Sequence, residues 1–329
     1  MGSLTGCGGA CATTRIRRAF VLGAGLGTRL RPITGRLPKP LVPVANRPLI
    51  AYAFDALIEA GIESIAVNTH HCPEAYGRAF PDARHRNVPI EFRHEPVLLE
   101  TGGGIRNVAN FLGDEPFLVY NGDLFSTIPV RAAIAHHLAS GNEVTLVLRS
   151  GGGPRQISLD PATGKVTDIG NRISPDSIGT HVFTGIYVVE PSLLARIPAQ
   201  TKISVIQPFI ELVREEASLG GVVIDSGEWW DIGSRERYLA IHRQLAPGQL
   251  APVPPAPWID PSATIAPDAR LLGATAVGPR TSIGRGAVVE NSVVWCDVAI
   301  HSDARIENCV VLSGAEVSGE HVGETLFPT

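Results

Sequence analysis

The chain has no surplus of basic residues and no long apolar run. Its 329 residues hold 28 Lys and Arg against 32 Asp and Glu, a formal net charge of -4. That balance offers no general affinity for nucleic acid or for a membrane surface. No apolar stretch approaches the roughly 18 residues that read as a membrane span. Cysteine is scarce as well: Cys7, Cys11, Cys72, Cys296 and Cys309. The count is odd and the spacings match no common zinc pattern, so reduced thiols in a cytoplasmic protein are expected. His70-His71-Cys72 reads as a strand end and its following loop rather than a metal cluster. What remains is a hydrophobic content of 44%, enough for a well-buried globular enzyme, and a length that allows two domains.

One segment carries most of the chemical information. Leu22-Gly23-Ala24-Gly25-Leu26-Gly27-Thr28-Arg29-Leu30-Arg31-Pro32 joins an apolar strand to a glycine-rich turn, and Pro38-Lys39-Pro40 follows. Successive glycines let backbone N–H groups close on phosphate oxygens without a side chain in the way. Arg29 can fork onto phosphate, and Lys39 supplies a point charge held between prolines. This is equipment for a nucleoside triphosphate. Two familiar alternatives fail. A dinucleotide-binding Rossmann unit wants an acidic residue closing the second strand roughly 20 residues on; here the second strand, Ser64–Asn68, comes late and ends in Asn. A Walker A loop would need Gly-Lys-Ser/Thr to close the turn, and none is present.

The block from Leu22 through Pro38-Lys-Pro-Leu-Val-Pro-Val-Ala-Asn-Arg-Pro-Leu-Ile50 closely resembles the signature of the sugar-1-phosphate nucleotidyltransferases, also called nucleoside-diphosphate-sugar pyrophosphorylases. The resemblance runs from about Arg18 to Leu245. It implies that Leu22, Gly23, Ala24, Gly25, Gly27 and Thr28 bind the nucleotide and that Arg29 and Lys39 are catalytic. Gly23 departs from the family, which more often shows Ala, and the change is expected only to shorten a side chain. Asp123, in Asn121-Gly122-Asp123, can hold a hard divalent cation against phosphate, although Asn-Gly-Asp is equally a turn sequence. By resemblance it is a Mg²⁺ ligand, and Asp231 in Trp229-Trp230-Asp231-Ile232-Gly233 is the second. Read without the family, Asp231 is also an acidic residue at a helix start. Glu100-Thr101-Gly102-Gly103-Gly104-Ile105 resembles the family's nucleoside-binding turn, with Thr101, Gly102 and Gly103 against the nucleotide; the plain alternative is a turn that starts a helix. The Glu-Lys-Pro of many relatives, whose Lys binds the sugar phosphate, is absent. Asn121, Glu100 and Arg172 are the sugar-phosphate candidates, Arg172 in place of that Lys.

Apolar strand-like runs alternate with helical patterns from residue 18 to 245. Strands are expected at Ala19–Leu22, Ser64–Asn68, Ile90–His94, Phe117–Tyr120, Val144–Leu148, Val182–Val189 and Val222–Ile224, with helices at Pro48–Ala60, Gly104–Phe111 and Ile206–Ala217. Continuous apolar strands between helices predict a Rossmann-like α/β domain with a mostly parallel sheet, and ligands in such sheets sit beyond the strands' carboxyl ends. Residues 246–258 form a proline-rich linker. Beyond it, aliphatic residues recur every six positions at Ile259, Ile265, Leu271, Val277, Ile283 and Val289, slip by one, and resume at Val294, Ile300, Ile306 and Leu312. That period predicts a parallel β-helix of hexapeptide repeats over residues 259–320. By resemblance to left-handed β-helix proteins it makes about three coils. Residues 1–17 read as a disordered tail. Leu4-Thr5-Gly6-Cys7 has the look of a lipoprotein cleavage site, but too little precedes Cys7 for a signal peptide.

The expected activity is a Mg²⁺-dependent, in-line attack of a sugar 1-phosphate on the α-phosphorus of a nucleoside triphosphate, releasing pyrophosphate. The hexapeptide domain resembles mannose-1-phosphate guanylyltransferases. The turn at Glu100 and the missing Lys look more like N-acetylmuramate-1-phosphate uridylyltransferases and heptose-1-phosphate guanylyltransferases. Two other classes are a bifunctional acyltransferase, since hexapeptide β-helices often bind acyl-coenzyme A, and a non-catalytic regulatory binder of nucleotide sugars. A short β-helix exposes apolar edges that need covering, partly by packing on the first domain and partly by self-association, so a homo-oligomer assembled through it is expected, with a monomer whose linker folds that domain back as the alternative.

Overall fold

The computed structural model describes residues 15–216, 218–246 and 257–328. The expected tail and the proline-rich linker fall mostly outside these residues. All seven expected strands lie in one sheet. Its order is Leu219–Val223, Val144–Arg149, Val182–Val189, Phe117–Asn121, Arg18–Leu22, Ser64–Thr69, Val88–His94 and the short Arg84–His85. Only Val182–Val189 and Arg84–His85 run antiparallel to their neighbours. The first strand shows why these runs are continuously apolar. Ala19 and Val21 enter the core on one face and Phe20 enters the core on the other, as a strand covered on both sides requires.

Helix Leu49–Glu59 begins directly after Pro48 and lays Ile50, Ala53, Phe54 and Leu57 on the first face, a helical spacing. Helix Ile206–Arg214 covers the second face with Phe209 and Leu212. It ends earlier than the expected Ala217, which lies outside the described residues. The helix expected at Gly104–Phe111 is longer and starts sooner: Glu100–Asn107 is helical, followed by Ala109–Leu112. The three glycines expected to form a turn are therefore inside a helix. The last strand starts at Leu219 rather than Val222, because Gly220 and Gly221 pair with Thr145 and Leu146 in the ladder.

The C-terminal region is a left-handed β-helix made of three parallel sheets, each four strands deep. Inward residues stack in register. Ile265, Ile283, Ile300 and Val317 form one column; Leu271, Val289, Ile306 and His321 a second; Val277, Val294, Val311 and Leu326 a third. The domain is thus one coil longer than the period suggested and reaches Leu326. A second one-residue slip puts Val311, not Leu312, in the column. The corners at these two slips each contain an asparagine in the left-handed region, Asn291 and Asn308, the residue type that tolerates such a corner best after glycine.

This β-helix packs onto the first domain. Ala276, Val293, Trp295 and Val310 share one core with Val42, Val44, Tyr238 and Ile241. Polar contacts fix the register between domains. Trp295 Nε1 donates to the Tyr238 hydroxyl at 3.1 Å, and Asn46 Nδ2 donates to the carbonyl of Val277 at 2.8 Å. Arg243 donates to Asn308 Oδ1 at 2.8 Å.

Candidate active site

The glycine run and the Asn121 turn leave the carboxyl ends of neighbouring strands. Arg18–Leu22 pairs in parallel with Phe117–Asn121, placing Leu22 beside Asn121. A cleft of about 370 Å³ opens there, walled by Leu22, Ala24, Gly25 and Gly27 on one side and by Glu100 and Thr101 on another. A second cavity of about 240 Å³ adjoins it along Thr28, Arg29 and Gly233. Lys39 and Asp123 lie at the boundary of both.

Asp231 reaches this boundary through a strand pair that sequence periodicity does not reveal. Trp229–Asp231 runs antiparallel to Leu124–Ser126, with Asp231 opposite Leu124, the residue after Asp123. Lys39 Nζ donates to Asp123 Oδ2 and to Asp231 Oδ1, each at 2.9 Å. Arg29 donates to Asp231 Oδ2 at 3.1 Å. Burial pushes the Asp231 carboxyl up, but Lys39, and after it Arg29, outweigh that and hold it below the usual carboxylate range. The two cations differ in kind. The Lys39 side chain is 5% exposed and that of Arg29 is 72% exposed, so Lys39 is a built-in charge and Arg29 an exposed one at the rim.

The donor set fits a hard divalent cation. Oxygens from Asp123 and Asp231 converge on one point, now shared by an ammonium group. Among the described residues no cluster of three or more His, Cys, Asp or Glu that would complete a protein cage is present. A magnesium-like ion is held in that way, by one or two carboxylates with phosphate oxygens and water completing the shell.

The glycine loop divides its backbone donors. The N–H groups of Gly23 and Ala24 are spent on Asn68 Oδ1, at 2.8 and 3.3 Å. Among the described residues, none of the hydrogen bonds uses the N–H of Gly25, Leu26 or Gly27. All three residues line the two cavities, and Gly27 sits at φ 59°, the left-handed conformation glycine permits.

A family model described as nucleotidyl transferase matches residues 18–247. The chain belongs to the nucleotidyl transferase family. It is 31% identical over 303 residues to the mannose-1-phosphate guanylyltransferase of Mycobacterium tuberculosis, a match covering 88% of this chain and 82% of the relative. It is 28% identical over 314 residues to the mannose-1-phosphate guanyltransferase of Hypocrea jecorina, covering 91% of this chain and 82% of the relative. A solved structure described as a glucose-1-phosphate thymidylyltransferase from Bacillus anthracis, in complex with sucrose, superposes with a TM-score of 0.60 at 20% identity, over 68% of this chain and 94% of that one. That likeness is one of fold. The protein is therefore an enzyme of the nucleotidyltransferase class, a family that generally uses a divalent metal ion.

Several family-derived site residues sit elsewhere than expected. Gly102 and Gly103 are buried behind the cleft wall, and both N–H groups donate to the carbonyl of Ile203, at 2.9 and 3.1 Å. Their glycine identity serves packing: a Cβ on Gly102 would meet Ile203 O at 3.0 Å, and one on Gly103 would overlap Thr201 O. Thr101 does line the cleft. Arg172 lies on the exposed turn after the hairpin Ile157–Leu159/Val166–Ile169, with its N–H on Asp168, and is not among the residues lining the cleft. Asn121 and Glu100 both line it. Gly23 is more than a shortened Ala, since a Cβ there would sit 2.6 Å from the Asn68 carbonyl and 2.9 Å from the Tyr76 hydroxyl. Trp229 is a packing residue whose indole N–H donates to Thr184 O at 2.9 Å.

Sequence reasoning missed Asn68, Leu98 and Ser204, which also line the cleft. Asn68 carried a usable signal, a polar side chain closing an apolar strand at its carboxyl end. Leu98 and Ser204 carried none, since they arrive through loop packing.

Proposed function

We propose that the protein joins a nucleoside triphosphate to a sugar 1-phosphate, releasing pyrophosphate, with GTP and mannose 1-phosphate as the preferred pair. The observation that carries this reading is the convergence of Lys39, Asp123 and Asp231 at the boundary of a cleft whose loop N–H groups are unspent. The choice of pair rests on the name of the Mycobacterium tuberculosis relative, which matches most of both chains.

In this reading Gly25, Leu26 and Gly27 hold phosphate oxygens through backbone N–H groups. A sugar-phosphate oxygen, already an anion, attacks the α-phosphorus in line, so no base and no covalent enzyme intermediate are required. Arg29 follows the charge that builds on the leaving pyrophosphate, and its exposed stem lets it do so. Lys39 steadies the α-phosphate or the sugar phosphate. Asp123 and Asp231 hold Mg²⁺, which supplies charge neutralisation across the phosphates when bound. Asn121 and Glu100 face the sugar-phosphate side. Catalysis is then positioning plus electrostatics.

Pyrophosphate release tests the reading, with each nucleoside triphosphate against a panel of sugar 1-phosphates and Mg²⁺. The expected result is the highest kcat/KM for GTP with mannose 1-phosphate. A maximum for UTP with N-acetylmuramate 1-phosphate, or for a heptose 1-phosphate, would transfer the assignment to those enzymes, which the sequence from Glu100 to Ile105 resembles. No turnover with any pair would sink it.

We further propose a cytoplasmic homo-oligomer. Cys72, Cys296 and Cys309 are free thiols, and among the described residues no helix is long and apolar enough to cross a membrane. Among the described residues, Ile259 and Leu272 near the first coil and Val322 and Phe327 in the last one are exposed, apolar surface at the two ends of the coil stack that self-association would cover. Light scattering at micromolar concentration is expected to report more than one chain per particle. A monomer would leave the β-helix solely as an intramolecular buttress.

A further inference from the structure

The base of the glycine loop is tied to the opposite cleft wall by two buried side chains. Glu95, 1% exposed, follows strand Val88–His94. Its Oε1 accepts from Asn68 Nδ2 at 2.9 Å and its Oε2 accepts from the N–H of Leu99 at 3.1 Å. Leu99 is the residue before helix Glu100–Asn107. Asn68, also 1% exposed, turns its Oδ1 to the N–H groups of Gly23 and Ala24. The relay runs from the phosphate loop through Asn68 and Glu95 to the start of the wall helix, and Gly104 leaves the space it occupies, since a Cβ there would lie 2.8 Å from Asn68 Nδ2.

The polarity of this relay has one consistent solution. An ionised carboxylate offers acceptors only. Glu95 therefore compels Asn68 to present its amide N–H to the carboxylate and its oxygen to the loop. That orientation is what consumes the donors of Gly23 and Ala24 and leaves those of Gly25 to Gly27 for a ligand. We infer that Glu95 is a positioning residue for the triphosphate: it acts through Asn68 to set which amides of the glycine loop face the cleft, and through Leu99 to seat the wall that carries Glu100 and Thr101. The inference rests on the reading of the loop as a triphosphate site.

Swapping the polarity tests it. In Glu95→Gln the side chain has one acceptor for two donors. Either Leu99 N–H is opposed by an amide N–H, or Asn68 must flip and oppose the loop amides. In Asn68→Asp two carboxylate oxygens face each other. In the double variant Asn68→Asp/Glu95→Gln, the new amide at position 95 accepts from Leu99 and donates to the new carboxylate at position 68, which in turn accepts from the loop. Every partner is satisfied again and the total charge is that of the wild type.

The expected result is a KM for GTP raised about tenfold or more in each single variant, the cost of one mispaired buried group. The double variant should return to within about threefold of wild type, because the two sites are coupled. Calorimetric titration with inorganic pyrophosphate and Mg²⁺ should show the same pattern. Single variants that match wild type, or a double variant no better than the product of the singles, would overturn the inference. Should a single variant not fold, the double variant decides: wild-type-like KM supports the relay and a tenfold rise overturns it. A wild-type protein that neither turns over GTP nor binds pyrophosphate fails at the level of the triphosphate site itself, and the inference falls with it.

Discussion

Alanine at Asp231 is expected to lower turnover by about a thousandfold or more, which corresponds to about 4 kcal/mol of lost transition-state stabilisation. The fold should survive. Asp231 lies at the end of a short strand whose pairing to Leu124–Ser126 is made by backbone groups, and its side chain is 27% exposed. Removing it leaves Lys39 still bound to Asp123, so no buried charge is abandoned. The same loss is expected for Asp123→Ala, where Lys39 keeps Asp231. Measured as initial pyrophosphate release beside a melting curve, both variants should melt within about 5 °C of wild type. A rate within tenfold of wild type in either variant would remove that carboxylate from the reacting centre. Asp231→Asn is the sharper companion, because it keeps the shape and loses the charge that a cation needs.

The second large effect concerns stability. Trp295→Ala is expected to destabilise the protein by about 3–5 kcal/mol, the range for truncating a large buried aromatic. Trp295 is 7% exposed and belongs to the core shared by the β-helix and the first domain. Its loss also strips the Tyr238 hydroxyl of a donor, while that hydroxyl keeps its own bond to the carbonyl of Pro43. Urea denaturation followed by tryptophan fluorescence and circular dichroism measures the change. A loss below about 1 kcal/mol would mean that the two domains do not stabilise each other through this residue. Two separate transitions in the variant, against one in the wild type, would show that Trp295 is what makes the domains unfold together.

Some of this molecule is determined by local sequence alone. Strands covered on both faces must be apolar throughout, so Ala19–Leu22 or Val144–Leu148 could be recognised without knowing any partner. The six-residue recurrence from Ile259 onward is imposed by coil geometry, and it names the β-helix directly. Gly25 and Gly27 and the cations at 29 and 39 lie within one short stretch, where backbone freedom and charge are visible as residue types. Tertiary structure alone decided the rest, because the deciding partners are far apart in the chain. Asp231 meets Asp123 only through a strand pair spanning more than a hundred residues. Lys39 and Arg29 read as equals until packing buried the first and left the second at the rim. Gly102 and Gly103 had the composition of a ligand turn, but their close approach is to Thr201 and Ile203, and nothing near them in sequence announces that neighbour. Glu95 and Asn68 were two ordinary polar residues at strand ends until the parallel pairing of those strands set Asn68 beside Arg93 and brought Glu95, two residues on, within hydrogen-bond reach of Asn68. Periodicity reports the environment a residue shares with its own element. Sites are made where elements meet, and there the pairing order of the sheet is the determining fact.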